Sequence, residues 1–259
     1  MSAKGIVDLA GKRGLLVGIA NEHSLAWGCA QHCHAAGAQL AVTWLNDKAR
    51  AFVEPLAAQV EASIALPLDV EREGELEAVF AAIGERWGRL DFLLHSIAFA
   101  PKADLQGRVV DCSRDGFARA MDVSCHSLLR MARLAEPLMR DGGSIVTLSY
   151  LGAEEVIANY GLMGPVKAAL EAAVRYLAAE LGPSGIRVNA VSPGPVATRA
   201  ASGIANFDAL LADAAQRAPL RRLVDRDDVG TLCAFLFSDA ARAVTGDTLL
   251  VDAGLHILN

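Results

Sequence analysis

The chain has 259 residues, 53 % of them hydrophobic, and a formal net charge of -6. That length suits one large α/β domain with a well-buried core, and the acidic balance argues against nucleic acid or an acidic membrane surface as the main partner. The five cysteines, Cys29, Cys33, Cys112, Cys125 and Cys233, follow no disulfide framework. Met1 to Leu9 lacks an export signature, and runs such as Gly14 to Ala20 are too short to span a bilayer, so a reducing cytoplasm is the expected compartment.

The first predicted strand, Gly14 to Gly18, is a short apolar run of the kind covered on both faces of a sheet. A helix follows from Leu25 to about Ala36, with Ser24 as its expected N-cap. Strand, glycine turn and helix N-terminus together make a phosphate cradle, although the glycines at 14, 18 and 28 do not match the G-x-G-x-x-G fingerprint. Strand two, Gln39 to Trp44, leads to Leu45, Asp47, Lys48 and Arg50, a mixed signal where an acidic residue favours NAD and a basic one NADP. Strand three, Ile64 to Leu68, ends at Asp69-Val70, and a helix from about Arg72 to Trp87 returns to strand four, Leu90 to Ile97. A loop from Phe99 to Asp104 precedes a long helical region, Ser113 to Met139, and strand five, Ser144 to Ser149.

Strand five runs into Tyr150, and Tyr160 and Lys167 follow at intervals of ten and seven residues. Seven residues are close to two helical turns, which would set Tyr160 and Lys167 on one face about 10 Å apart, with room for a ribose between their tips. An ammonium near a phenol lowers the phenol's pKa and makes it a better donor to a developing oxyanion. Pro165 opens a second geometry: if the regular helix begins there, Tyr160 lies in a loop. That helix carries Met163, Val166, Leu170, Val174 and Leu177 on one stripe, pairs Glu171 with Arg175, and stops at Gly182-Pro183. Strand six, Ile186 to Ser192, meets a rigid turn from Pro193 to Thr198 that suits a carboxamide. The stretch from Arg199 to Phe207 has the small residues and apolar groups of a mobile lid. A helix from about Asp227 to Phe237 and a seventh strand, Asp247 to Asp252, complete the series. Seven strands alternating with helices imply a single-domain α/β fold: a Rossmann-like, doubly wound parallel sheet with helices on both faces, whose ligands bind at the strands' carboxyl ends.

From Val7 to Ala253 the order of these features resembles the short-chain dehydrogenase/reductase superfamily. None of Tyr150, Tyr160 and Tyr176 has a lysine four residues on, as most of that superfamily does; Tyr-x6-Lys with a second tyrosine upstream is similar to a divergent branch, the bacterial enoyl-acyl-carrier-protein reductases. Also similar to that branch are Gly18-Ile-Ala-Asn-Glu-His-Ser24, His95-Ser-Ile-Ala-Phe-Ala-Pro101, Leu148-Ser-Tyr-Leu-Gly-Ala-Glu154 and Thr198-Arg-Ala-Ala-Ser-Gly-Ile204. The resemblance implies reduction of a trans-2-enoyl thioester on acyl carrier protein in fatty-acid elongation, with NADH favoured over NADPH. It further implies Tyr160 at the substrate oxygen, Lys167 at the nicotinamide ribose and Tyr150 in orientation or proton delivery. Gly18, Ser24, Leu25, Asp69, Val70, Ser96, Ile97, Val196 and Thr198 are then expected around the cofactor. Ala98, Met163, Ala200, Ala201, Ile204 and Phe207, with both catalytic tyrosines, are expected around the substrate, within a covering segment at about 198–217. A homotetramer is the implied assembly. Leu45, Ala98 and Pro193 depart from the family pattern, where glutamine, glycine and alanine are common.

The rival readings are a carbonyl-reducing enzyme of the same fold, such as a 3-oxoacyl thioester reductase, and a non-catalytic dinucleotide sensor. The missing Tyr-x3-Lys opposes the first, and the retained tyrosines and lysine oppose the second. Cys29 and Cys33 with His32 and His34 read as core thiols rather than a metal site. Arg217, Arg221 and Arg222 offer a docking face for an acidic carrier protein or an ordinary solvated face.

Overall fold

The computed structural model describes residues 7–198 and 207–258. Seven strands form one sheet: β1 (Arg13–Val17), β2 (Gln39–Trp44), β3 (Ile64–Pro67), β4 (Phe92–His95), β5 (Gly143–Leu148), β6 (Ile186–Pro193) and β7 (Thr248–Val251). Their order is β3-β2-β1-β4-β5-β6-β7 and every pairing is parallel. Such pairing requires crossovers, and apolar side chains on both strand faces let helices cover both sides. In β1, Leu16 enters one core with α1 (Leu25–Ala35), α2 (Asp47–Gln59) and α9 (Arg226–Phe237). Its neighbours Leu15 and Val17 enter the other, with α3 (Glu75–Trp87), α6 (Ser127–Ala135) and α7 (Met163–Leu181). Each fully buried leucine contributes about 1.5–3 kcal/mol. On the first face Phe92 stacks on Phe237 with ring centroids 4.5 Å apart.

The expected strands and their succession all form, with ends shifted by a few residues. Strand four is shorter than expected, four residues from Phe92 to His95. Helix α3 starts at Glu75 rather than Arg72, behind Gly74 in a left-handed conformation. The stretch read as a loop after Phe99 contains a short helix, α4 (Lys102–Gln106). The long region from Ser113 to Met139 is not one helix. It comprises α5 (Arg114–Met121), a π-helical turn at Asp122–His126, α6 and a short 3-10 turn. Within the expected covering segment at about 198–217, residues Phe207–Arg217 form a helix, α8.

Strand order reverses between β1 and β4, and their carboxyl ends open a crevice there, the usual ligand position in such sheets. The register Val17↔His95 brings Gly18 and Ser96 out side by side, joined by a bond from the Ser96 amide to the Val17 carbonyl at 3.0 Å.

Candidate active site

The nucleotide side of the crevice is made of backbone. Gly18 has φ +109°, and a Cβ there would collide with the carbonyl oxygen of Ser96. Only glycine lets the two loops meet this closely. Ser24 stands at the N-cap position of α1, but its hydroxyl accepts from the amides of Ala20 and Asn21 at 3.0 and 3.1 Å and makes no cap bond to the helix. The expected side-chain cap is therefore corrected: Ser24 braces the loop, and the N-terminal end of α1 beside Leu25 is left to the solvent or an anion. Gly28 has another task, since a Cβ on it would strike the Arg226 carbonyl of α9; it is a packing glycine, not a phosphate one. After β3, the Asp69 amide donates to Glu75 Oε2 at 2.7 Å, and the Val70 carbonyl accepts from Arg130 at 2.7 Å, so both residues are fixed at the crevice rim. After β2, Leu45 is exposed. Arg50 lies 5.5 Å from the Trp44 ring centroid and pairs with Glu54 at 2.7 Å, so it is already engaged by its own helix.

The other side is made of side chains. Helix α7 begins at Met163, so Pro165 sits in its first turn and Tyr160 lies in the preceding turn. The single-helix geometry for Tyr160 and Lys167 is thus overturned, and the loop alternative holds. Asn159 and Gly161 flank Tyr160 with φ +63° and +51°, a backbone that turns the phenol inward. Its ring packs against Gly152 and lies 4.8 Å from the Tyr150 ring at an interplanar angle of 59°. Met163 joins the same small apolar cluster with Leu162 and Val166.

Lys167 is buried, not solvated, and its Nζ donates to the Leu148 carbonyl at 2.6 Å. Glu171, one turn on, is also buried and accepts from Ser149 Oγ, keeping only the longer-range field of Arg175. The expected Glu171 to Arg175 pair is corrected accordingly. Burial decides the charges here. It pushes the Tyr160 pKa far up, helped by Tyr150 and Glu171, and pushes Tyr150 up to about 12. It pushes Lys167 down to about 8, against opposing fields from Glu171 and Cys125. The expected lowering of the phenol's pKa by the ammonium is wrong in sign, because loss of hydration dominates and the neighbouring Tyr150 and Glu171 act in the same direction. Tyr160 is a neutral hydroxyl donor.

Ser96, Ile97 and Ala98 follow β4 at the crevice, and Val196 and Thr198 lie in the turn after β6. Ala200, Ala201 and Ile204 lie outside the described residues, and the side chain of Phe207 does too. A cavity of about 360 Å³ opens beside Tyr150, lined by Ile157, Pro193, Leu210, Ala214 and Leu255 among others. Sequence reasoning missed this wall, since α8 was not expected, and missed Glu171 as a neighbour of Lys167, although its i, i+4 spacing was a usable signal. It also missed Ser192, whose hydroxyl is buried at the end of β6 and has no hydrogen-bond partner among the described residues. Cys29, Cys33 and Cys233 are buried between α1 and α9, as core thiols. Of the three arginines, Arg217 pairs with Asp213 at 3.1 Å, Arg222 grips Asp228 at 2.5 and 2.8 Å, and Arg221 donates to the Gln216 carbonyl.

Residues 18–256 match a family model described as enoyl-(acyl carrier protein) reductase. The chain is 48 % identical over 254 residues to enoyl-[acyl-carrier-protein] reductase [NADH] 1 of Rhizobium meliloti, covering 98 % of this chain and 93 % of that protein. Its fold is similar to that of the Bacillus cereus enoyl-acyl carrier protein reductase solved with NADP+ and indole naphthyridinone: TM-score 0.95, 47 % identity, covering 97 % and 98 % of the two chains. It is also similar to an Anaplasma phagocytophilum enoyl-acyl-carrier-protein reductase solved with NAD, at TM-score 0.93 and 45 % identity, covering 99 % and 97 %.

Proposed function

The chain belongs to the family of enoyl-(acyl carrier protein) reductases, and on that premise we propose that it reduces the trans-2 double bond of enoyl thioesters on acyl carrier protein, with NADH, in fatty-acid elongation. The observation that carries the reading is a neutral, inward-turned Tyr160 packed at a tilt against Tyr150, following the strand whose Leu148 carbonyl holds the buried Lys167, in a sheet whose order reverses at β1 and β4. The crevice fits a dinucleotide: the Gly18 and Ser96 loops meet without side chains between them, and α1 has no side-chain cap. Gly18, Ser24, Leu25, Asp69, Val70, Ser96, Ile97, Val196 and Thr198 would hold it. When bound, the reduced nicotinamide supplies the hydride that adds to the substrate's β-carbon.

Tyr160 donates a hydrogen bond to the thioester oxygen as negative charge collects there. A phenol whose ionisation is suppressed keeps its proton until the oxygen becomes basic enough to compete for it. Lys167 holds the nicotinamide ribose, and Glu171 favours its ammonium form. Tyr150 orients the thioester through its contact with Tyr160. The segment at about 198–217 covers the substrate, with Ala98, Met163, Ala200, Ala201, Ile204 and Phe207 as its apolar surroundings, and residues 1–259 act as one catalytic domain. The enzyme works in the cytoplasm as a homotetramer, a reading that the exposed Leu129 on α6 and Tyr176 on α7 suit as a face for other copies. No helix among the described residues is long and apolar enough to cross a membrane.

The test pairs crotonyl thioester and NADH against acetoacetyl thioester and NADPH, following loss of reduced-nicotinamide absorbance. Turnover of the first pair is the expected result. Turnover of the ketone alone would assign a carbonyl reductase, and turnover of neither a sensor.

A further inference from the structure

Behind the crevice lies a polar cluster that the reading above leaves without a task. His95, the last residue of β4, is fully buried between two hydroxyls, with Nδ1 2.8 Å from Thr147 Oγ1 on β5 and Nε2 2.8 Å from Ser127 Oγ at the start of α6. Counting protons fixes the ring. Ser127 donates its only proton to the Val123 carbonyl at 2.7 Å, so its oxygen accepts, and Nε2 carries the hydrogen. Nδ1 then accepts from Thr147, whose other acceptor, the His95 carbonyl, is more distant at 3.2 Å. The imidazole is neutral, and burial, with the field of Lys167, pushes its pKa down to about 3.

Four residues on, the chain is gripped again from the same place. Ser124 Oγ accepts from the Phe99 amide at 2.9 Å and donates to the Phe99 carbonyl at 3.1 Å. Ser124 lies in the π-helical turn Asp122–His126 and Ser127 follows it directly. One irregular turn therefore holds both ends of a short span, and the residues between the anchors are Ser96, Ile97 and Ala98. The turn also packs on α7, where Cys125 lies close enough to Lys167 to act on its charge.

We propose that the π-helical turn with Ser124 and Ser127 is a positioning clamp: through His95 and Phe99 it fixes the span Ser96–Ala98, and with it the nicotinamide end of the cofactor, relative to Lys167. The inference rests on the reading of Ser96–Ala98 as the wall beside the nicotinamide. Neither serine touches the reacting atoms; both act through the loop they hold. A regular helix through Asp122–His126 would shift one serine against the other around the axis, so both anchors depend on the inserted residue of the π turn. A displacement of about 1 Å in a reacting group lowers rates by about 10²-fold.

The experiment compares wild type with Ser124→Ala, Ser127→Ala and the double variant, using crotonyl thioester and NADH deuterated at the transferred position. The double variant is expected to lose about 10- to 100-fold in kcat. Its primary isotope effect should rise, with KM for the thioester within about 2-fold of wild type. Bound NADH should also show faster depolarisation of nicotinamide fluorescence, a readout that needs no turnover. An unchanged isotope effect and unchanged depolarisation in folded variants overturn the clamp, whatever happens to thermal stability. If Ser127→Ala does not fold, Ser124→Ala alone carries the same two readouts. Wild-type turnover in the same assay separates failure of the clamp from failure of the functional reading.

Discussion

Helices α1 and α7 both border the crevice, and they serve it in opposite ways. Helix α1 contributes its end: apolar residues fill its length, no side chain caps it, and Gly18 and Gly28 let backbone approach backbone. Helix α7 contributes its interior, with Lys167 and Glu171 drawn from its second and third turns into the dry space behind the tyrosines. A site made from amides has charges set by covalent geometry, insensitive to pH. A site made from buried side chains has charges set by packing, and the balance between hydration and neighbouring fields can be moved by a single substitution.

The sharpest way to break this contrast is to remove one hydroxyl from the α7 side. Tyr160→Phe is expected to lower kcat by about 10² to 10⁴ while cofactor affinity, measured by NADH fluorescence, is retained. Loss of affinity instead would move Tyr160 to the cofactor side. Next in size is pH. Lys167, depressed by burial to about 8, gives kcat/KM of the free enzyme a decline of about tenfold per pH unit above that value. Stability moves the other way: between about 8 and the ordinary lysine value of 10.5 the unfolded chain binds the extra proton, so the free energy of unfolding, and with it stability, increases with pH across that window. Denaturant titrations at several pH values check the sign, and parallel losses of rate and stability would contradict it.

On the α1 side, Gly18→Ala places a Cβ on the Ser96 carbonyl at φ +109° and is expected to cost about 1–3 kcal/mol in stability. Thermal melts measure that loss, while the alkaline limb of kcat/KM should keep its midpoint; a shifted midpoint would mean that the two sides are electrostatically joined. The smallest effect is expected at the surface. Arg221→Glu should raise KM by about 2- to 5-fold for carrier-linked substrate and leave a small CoA thioester nearly unaffected, since exposed charges act mainly through weak, screened fields. Equal effects on both substrates would remove Arg221 from carrier docking.

The same contrast explains what the amino-acid sequence made legible. The sheet could be read because each strand is a short apolar run between helices, and the crevice because strand ends such as Gly18, Asp69 and Ser96 follow from topology. Tyr150, Tyr160 and Lys167 stood out by spacing. Their protonation did not, since attraction between Tyr160 and Lys167 is visible in sequence whereas loss of water depends on Gly152, Met163 and Val166 closing around them. The start of α7 was left open by Pro165, which is compatible with the first turn or with a kink. Helix α8 was hidden by the small residues before it, and the π turn was hidden because Asp122–His126 continues a helical pattern on both sides.

The pairing of α1 with α9 has a further consequence for biogenesis. Residues 25–35 can finish packing only against residues 226–237, with Gly28 and Gly230 in contact across the two helices. During vectorial synthesis the segment that frames the nucleotide crevice therefore emerges early and waits for one of the last helices translated. Until α9 is made, the side chains of Trp27, Ala30 and Cys33 lack the apolar partners they have in the finished core, and exposed apolar surface of this kind favours aggregation of incomplete chains.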